Sequence, residues 1–243
     1  MRFDLKLNEV QYIQKQFHFD SLIGVERGFL PQFGIEKALK NKGVIVEAIG
    51  KNPDLSAEYR YLFSAWEKMR YSVVRPDTME KDELFCVLAN EDTIIIFNRI
   101  EKDIAIELID FNSDIMDRIL YNMADFDSME AVVERPFNIS LPVKEFAQIL
   151  SSQKDSNIST WSNRLGIGKD DLKFYFEMIN KEKDYFMYLC EDHREQIGTL
   201  IKVVKTPNGY YALKHVTPKE SENERMVMMV GDAQMIINSI YVF

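Results

Sequence analysis

Short apolar runs separated by brief polar turns are the feature that most constrains how this chain can fold. In the first half, three such runs cover residues 84–88, 93–97 and 104–109. Parallel neighbours would need crossover connections of about a dozen residues or more, which these turns cannot supply. The spacing therefore predicts antiparallel hairpins, and a further strand is predicted at residues 71–74.

Helical periodicity lies on both sides of these runs. Pro53-Asp54-Leu55-Ser56 opens a predicted helix with Ser56 as its N-cap, and Ser113 is predicted to cap a helix after the last strand. The face of the first helix is apolar at the spacing i, i+3, i+4, i+7 and i+10, at Tyr59, Leu62, Phe63, Trp66 and Met69. Alternation at residues 3–7 predicts a short opening strand, and further helices are predicted after Asn8 and from Ile35 to Gly43.

The same order of patterns returns in the second half. Residues 137–141 alternate as residues 3–7 do, and Pro142 suits the first turn of a helix. Asp232 is predicted to open the closing helix. Four strand-like runs precede it, at residues 185–189, 197–204, 210–216 and 226–230. The offset between matching residues is 113 for Glu58 and Asp171 and 118 for Asp114 and Asp232, which indicates an internal duplication.

We therefore predict an α+β fold: an internally duplicated, quasi-twofold antiparallel β-sheet flanked by helices. One copy alone would leave its helices and strand edges poorly covered. The two copies are expected to join as one body over residues 1–243, with a first α/β half at 1–128 and a second at 136–243.

Composition excludes several classes of function. The formal net charge is −9, from 39 acidic and 30 basic side chains, and nucleic acid is not an expected partner because phosphate binding needs a basic surface. The N-terminus lacks the apolar region of a signal peptide, and no run approaches about 18 apolar residues. We expect a cytoplasmic protein without membrane insertion, whose two cysteines, Cys86 and Cys190, are buried thiols.

No residue pattern predicts catalysis, a cofactor or a metal. Gly166-Ile167-Gly168-Lys169 follows a helix and reads as a helix stop, with Asp170 and Asp171 in the first turn of the next helix. Glu191-Asp192-His193 is interpreted as a solvated hairpin turn. The histidines lack the spacing of metal ligands, so the protein is not expected to be an enzyme.

Two features are typical of a binding module. A charged hairpin tip runs from residue 219 to 225, and mobile loops often contact partners. Methionines follow it on one predicted strand, and methionine surfaces adapt to varied apolar partners. The predicted partner-binding residues are Lys219, Glu220, Glu222, Glu224, Arg225, Met226 and Met228.

Four stretches carry a resemblance to a known family: FDLKLNEVQYIQ, ALKNKGVI, LSAEYRYLFSAWEKMRYSVV and ELFCVLANEDTIIIF. With these stretches the chain resembles the EspG-type proteins of type VII (ESX) secretion loci, and most of all their relatives in Firmicutes. The resemblance spans nearly the whole chain and rests on apolar patterns.

The resemblance implies a cytosolic, non-catalytic chaperone without a cofactor, which binds the helical tip of secretion substrates through its central sheet and hairpin loops. Mycobacterial members bind PE–PPE pairs, and a Firmicute relative would bind WXG- or LXG-type helical proteins. The protein itself is expected to be a monomer or weak homodimer. The alternative from the residues is a small-molecule-binding or enzymatic α/β domain with a cleft between the two halves. A third interpretation is a structural or immunity-type partner protein.

Overall fold

The structure is a computed structural model that describes most of the chain, in the ranges 1–6, 53–74, 84–100, 103–124, 126, 133–151, 155–181, 185–218 and 224–240. The helices predicted after Asn8 and from Ile35 lie outside these ranges. The chain divides into two compact units, Met1–Met116 and Asp117–Phe243.

The first unit contains five described strands and one complete helix. They are β1 (Arg2–Lys6), α1 (Pro53–Glu67), β2 (Tyr71–Val74), β3 (Leu84–Ala89), β4 (Thr93–Ile100) and β5 (Asp103–Asp110). The strands lie in the order β1-β5-β4-β3-β2, and each neighbouring pair is antiparallel. The predicted hairpins are therefore confirmed, and the opening strand pairs with the last strand of the meander.

The apolar face of α1 forms the core of the first unit. All five residues predicted for this face are buried, four of them on α1 and Met69 just after its end, and Trp66 is only 1% exposed. The Trp66 ring lies 5.7 Å from the ring of Phe63 and 4.7 Å from that of Phe97 on β4, measured between ring centroids. These aromatic contacts join the helix to the middle of the sheet.

A further helix, α2 (Ser113–Ala124), begins in the first unit, and its residues from Asp117 onward belong to the second. Two helix starts differ from the prediction. The α1 helix begins at Pro53, three residues before Ser56, because proline suits a first turn whose N–H groups lack partners. The cap of α2 is Asn112 and not Ser113: Asn112 Oδ1 accepts hydrogen bonds from the backbone N–H groups of Asp114 and Ile115.

The second unit repeats the pattern with more described helices. After the second part of α2 come β6 (Phe137–Pro142), α3 (Val143–Ser151), α4 (Asp155–Leu165), α5 (Lys169–Lys181), β7 (Tyr185–Asp192), β8 (Ile197–Thr206), β9 (Gly209–Thr217), β10 (Arg225–Gly231) and α6 (Ala233–Ile240). The strand order is β7-β8-β9-β10-β6, again antiparallel throughout. As in the first unit, the opening strand pairs with the last strand of the meander.

Helices cover both faces of the sheet within the second unit. On one face, α3, α4 and α5 pack against alternate residues of the strands, among them Leu213, Met228 and Val230. The residues between them point to the other face, where α6 contacts β9 and β10. Asp232 Oδ1 accepts the backbone N–H of Met235, so Asp232 caps α6 as predicted.

A tight hairpin joins β8 to β9 through Pro207 and Asn208. Gly209, which follows them, has φ +131°, a conformation essentially restricted to glycine. A Cβ atom at this position would lie 2.5 Å from Val133 Cγ2 and 3.2 Å from the carbonyl oxygen of Gly231. Both the backbone angle and the space therefore require glycine here.

The predicted fold class is confirmed: the chain is α+β, with antiparallel sheet flanked by helices and the strand order of one unit repeated in the other. The single body over 1–243 and the halves 1–128 and 136–243 stay predictions. In the described part of the chain, every helix is too short or too polar to cross a membrane.

Candidate partner-binding surface

Four of the seven predicted partner-binding residues lie in the described structure, at the start of β10. Glu224 precedes the strand, and Arg225, Met226 and Met228 belong to it. Lys219, Glu220 and Glu222 lie outside the described residues. The strand begins one residue earlier than the predicted run at 226–230, so Arg225 belongs to the strand and not to the hairpin tip.

Arg225 is tied to the neighbouring strand. Its Nε donates a hydrogen bond to Ser140 Oγ (2.6 Å), and its Nη2 donates one to the backbone carbonyl of Ser140 (2.9 Å). The carbonyl of Glu224 accepts a hydrogen bond from the backbone N–H of Val143, at the start of α3 (3.2 Å). The C-terminal end of the charged loop is therefore anchored to β6 and α3.

Met228 belongs to the core. Its exposed fraction is 0%, and it packs among the residues that join the sheet to α3, α4 and α5. Its side chain is therefore not available to a partner, which corrects its place among the predicted contact residues. Met226 lies at the margin of the same core and is only partly buried.

A partly exposed row of side chains crosses four strands beside Met226. The strand register places Leu189 opposite Leu200, Leu200 opposite His215 and His215 opposite Met226. Side chains at directly opposed positions of antiparallel strands share one face of the sheet. We call Leu189, Leu200, His215 and Met226 the apolar row. Leu200 is its most exposed member, at 43%.

Glu224 adds a charge at one end of the apolar row. Its Oε2 lies 3.4 Å from Nε2 of His215, so the two form an ion pair whenever the imidazole is protonated. Arg225 does not add to this charge, because its side chain bonds to Ser140 on the opposite face of the strand. An apolar strip with a polar end is the usual composition of a protein-binding surface.

The cover that α5 gives to this face ends beside the apolar row. Lys202, two residues along β8 from Leu200, donates a hydrogen bond from Nζ to the carbonyl of Ile179 in α5 (2.5 Å). Its ammonium also lies 4.3 Å from the ring centroid of Tyr185, which is a cation–π distance. Leu200 lies beyond this contact and is exposed.

The glycine-containing segment after α4 has a structural role, as predicted. Gly166 has φ +69°, the left-handed conformation that ends many helices. Ser162 Oγ donates a hydrogen bond to the carbonyl of Ile167 (2.6 Å), and Asp170 and Asp171 lie in the first turn of α5. The segment is a helix stop followed by a helix start.

The expectation of a solvated turn at Glu191-Asp192-His193 is wrong for the two acids. Both are buried at the end of β7. Asp192 Oδ1 accepts hydrogen bonds from the backbone N–H groups of Arg194 and Glu195, and a carboxylate that accepts such bonds can be buried at lower cost. Within the described ranges, no three His, Cys, Asp or Glu side chains are grouped as metal ligands would be.

Sequence reasoning missed Leu189, Leu200 and His215 as members of a surface. Each lies in a strand-like run, where its place in the alternation of side chains gives no sign of a binding surface. Only the register between strands brings them into line with Met226, and register depends on turns and packing that the local pattern does not encode.

Comparison with known proteins gives a match in fold. No protein-family profile matches the sequence, and no curated protein sequence matches it. Among solved structures, the chain is similar to that of the Mycobacterium tuberculosis type VII secretion system chaperone EspG5 in complex with a PE25–PPE41 dimer. The TM-score is 0.55 at 10% sequence identity, over 99% of this chain and 94% of that one. The protein therefore has an EspG-like fold.

Proposed function

We propose that this protein is a cytoplasmic, non-catalytic chaperone or adaptor that binds α-helical substrates of a type VII secretion system. The observation that carries the proposal is the similarity in fold to EspG5, which extends over nearly the full length of both chains. That protein is described as a chaperone, and its structure contains it with a bound PE25–PPE41 dimer.

The apolar row suits a helical partner in size and chemistry. It crosses four strands, or about 14 Å at the usual strand spacing. That distance corresponds to roughly two and a half turns of an α-helix, enough for apolar anchors at i, i+4 and i+7. Leu200 and Met226 supply apolar contact, and Glu224 beside His215 supplies a polar end.

The partner is proposed to be a small helical secreted protein of the WXG or LXG type, following the resemblance to Firmicute EspG-type proteins. The loop residues Lys219, Glu220 and Glu222 are proposed to contact it next to Glu224 and Met226. The chaperone itself is proposed to be a monomer or weak homodimer, which sedimentation at several concentrations measures.

Coexpression with the small helical-hairpin proteins encoded beside its gene, followed by affinity capture, tests the proposal. We expect one of them to be retained, and Leu200→Glu to reduce its retention. Ile115→Glu is the matched control, because Ile115 is another aliphatic side chain of similar exposure, 40%, but lies on α2 and outside the apolar row. Failure to retain any such protein, or equal losses in both variants, would contradict the proposal.

A binding site for a small molecule is the second candidate. The observation that favours it is a cleft of about 520 Å³ with a mixed polar and apolar lining, within the size range of ligand sites. The cleft lies wholly in the second unit, on the face of the sheet that α6 covers.

A further inference from the structure

A buried lysine lines the cleft between α6 and the strands β6, β9 and β10. Lys214 is only 3% exposed, and its Nζ donates a hydrogen bond to the carbonyl of Ser239 in the last turn of α6 (2.6 Å). Among the described residues this is its single hydrogen bond, and no carboxylate forms an ion pair with it. An ammonium group has three N–H donors, so two of them are left for the cleft.

Burial of a cation without a neighbouring anion is costly. It lowers the pKa of Lys214, and the weaker opposing effect is that of Cys190, which raises it. The one acidic residue in the cleft lining is Asp232, whose Oδ1 already accepts the N–H of Met235 at the start of α6. An anion from outside would therefore stabilise the charged form of Lys214.

Other side chains of the lining are arranged to donate hydrogen bonds. Gln234 Nε2 donates to Asn238 Oδ1 (2.9 Å), which leaves the amide nitrogen of Asn238 as the free donor group. Ser140 Oγ accepts a hydrogen bond from Arg225 Nε, so the hydroxyl hydrogen of Ser140 remains available to a ligand. Both side chains line the cleft together with Lys214.

Apolar side chains complete the lining. Val227 and Met229 point into the cleft from β10, and Met235 does so from α6. A ligand with a charged end and an apolar body would match a site that combines one cation, several donors and an apolar floor.

We propose that this cleft binds a small carboxylic acid with an apolar body, whose carboxylate pairs with Lys214 and accepts hydrogen bonds from Asn238 and Ser140. The site is independent of the proposed chaperone function, because Lys214, Val227 and Met229 face the side of the sheet opposite to the apolar row. Loss of one activity would leave the other intact.

Hexanoate is a suitable probe, and hexanamide is its uncharged counterpart. In the full chain labelled with ¹³C-lysine, hexanoate is expected to shift the Cε signal of Lys214 in a saturable manner and to raise the pH at which that lysine titrates. Hexanamide is expected to do neither. The signal of Lys214 is assigned by its absence from the spectrum of Lys214→Met.

Calorimetric titration of variants then tests the roles of the residues. Lys214→Met is expected to weaken hexanoate binding by about tenfold or more, as the loss of a charged hydrogen bond predicts. Lys202→Met is the matched control, because Lys202 also bonds to a helix carbonyl but does not line the cleft. Its affinity for hexanoate should equal that of the wild type.

A second variant keeps the test valid if Lys214→Met fails to fold. Asn238 is exposed, and Asn238→Asp preserves an acceptor for Gln234 Nε2 while replacing the free donor by a negative charge. It is expected to weaken hexanoate binding by about tenfold as well. The proposal is overturned by equal binding of hexanamide, by the absence of a saturable shift, or by unchanged affinity in Asn238→Asp.

Discussion

Arg225 and Ser140 form a bidentate contact between β10 and β6, at the edge of the sheet in the second unit. The guanidinium binds both the hydroxyl and the carbonyl oxygen of Ser140, at 2.6 and 2.9 Å. The edge strand β6 has no further strand beside it among the described residues, so this contact covers part of an otherwise open edge.

Replacement of Arg225 by Gln should loosen the edge strand more than it destabilises the protein. The contact is exposed, so we expect a loss of about 0.5–1 kcal/mol in the free energy of unfolding. Hydrogen exchange at the amides of β6 should accelerate more than that at β9. Arg164→Gln, which breaks an exposed ion pair with Glu145, serves as the control and should leave β6 unaffected. Uniform acceleration in both variants would show that Arg225 has no special effect on the edge.

Truncation of Trp66 should show how strongly the first unit depends on its aromatic core. Trp66→Ala removes a side chain that is 1% exposed and contacts Phe63 and Phe97, and we expect a loss of about 3–5 kcal/mol in urea unfolding. Tyr61→Ala, on the exposed face of the same helix, should change stability by about 0.5 kcal/mol or less. A small effect of Trp66→Ala would contradict the described packing of α1.

A comparison of two glycines can separate the effect of backbone strain from the effect of steric space around an added side chain. A Cβ atom would meet nothing within 4 Å at either Gly166 or Gly198, but only Gly166 has a left-handed φ. Gly166→Ala should therefore cost about 1 kcal/mol through strain at the end of α4. Gly198→Ala should be neutral or slightly stabilising. Thermal unfolding of both variants distinguishes them, and equal midpoints would exclude the left-handed conformation.

The burial of Lys214 should appear in the pH dependence of stability. Because its pKa is lowered in the folded state, the unfolded chain binds the proton more tightly than the native protein does. Below the pKa that Lys214 has in the folded protein, the buried charge lowers the free energy of unfolding. This destabilisation disappears as the pH rises from that pKa towards 10.5, the ordinary pKa of a lysine. Wild-type stability should therefore rise relative to that of Lys214→Met between pH 7 and pH 10, by at most about 1.4 kcal/mol per pH unit. If the free energy of unfolding, measured with urea, depends on pH in the same way in both proteins, the burial of a charged lysine is refuted.

Both cysteines should resist thiol reagents in the native protein. Cys86 and Cys190 are each 3% exposed, and burial raises the pKa of both thiols, that of Cys190 to about 12. Since the thiolate is the reactive form, a chromogenic disulfide at pH 8 should label neither residue until urea unfolds the chain, and should then label two. Rapid labelling without denaturant would place at least one thiol at the surface.

The sequence predicted helices and strands well because their periodicities are local. The residues from Tyr59 to Met69 that the spacing placed on one face are buried, and the strands of both meanders lie where the apolar runs predicted them. The residues that cap the helices were predicted less accurately. Asn112 and Ser113 are adjacent and both can cap a helix, and the choice depends on the backbone angle at which the chain enters the helix.

The apolar row and the cleft could not be predicted from the sequence, because each is formed by residues of several segments. Met226 and Met228 lie on the same face of β10, yet only Met228 is covered, because the helices pack over one part of the strand. Lys214 alternates with apolar neighbours and reads as a solvent-facing strand residue. Its burial follows from the position of α6, whose last turn provides the carbonyl of Ser239.

Gly209 has a consequence for tracing the ancestry of this protein. At 10% identity, few positions can be matched between two chains by residue type alone. Position 209 accepts only glycine, because of its φ of +131° and the proximity of Val133. It should therefore remain glycine in every homologue that keeps this hairpin. It should thus serve as a fixed mark for aligning distant homologues, and a homologue with another residue there should have a longer turn between β8 and β9.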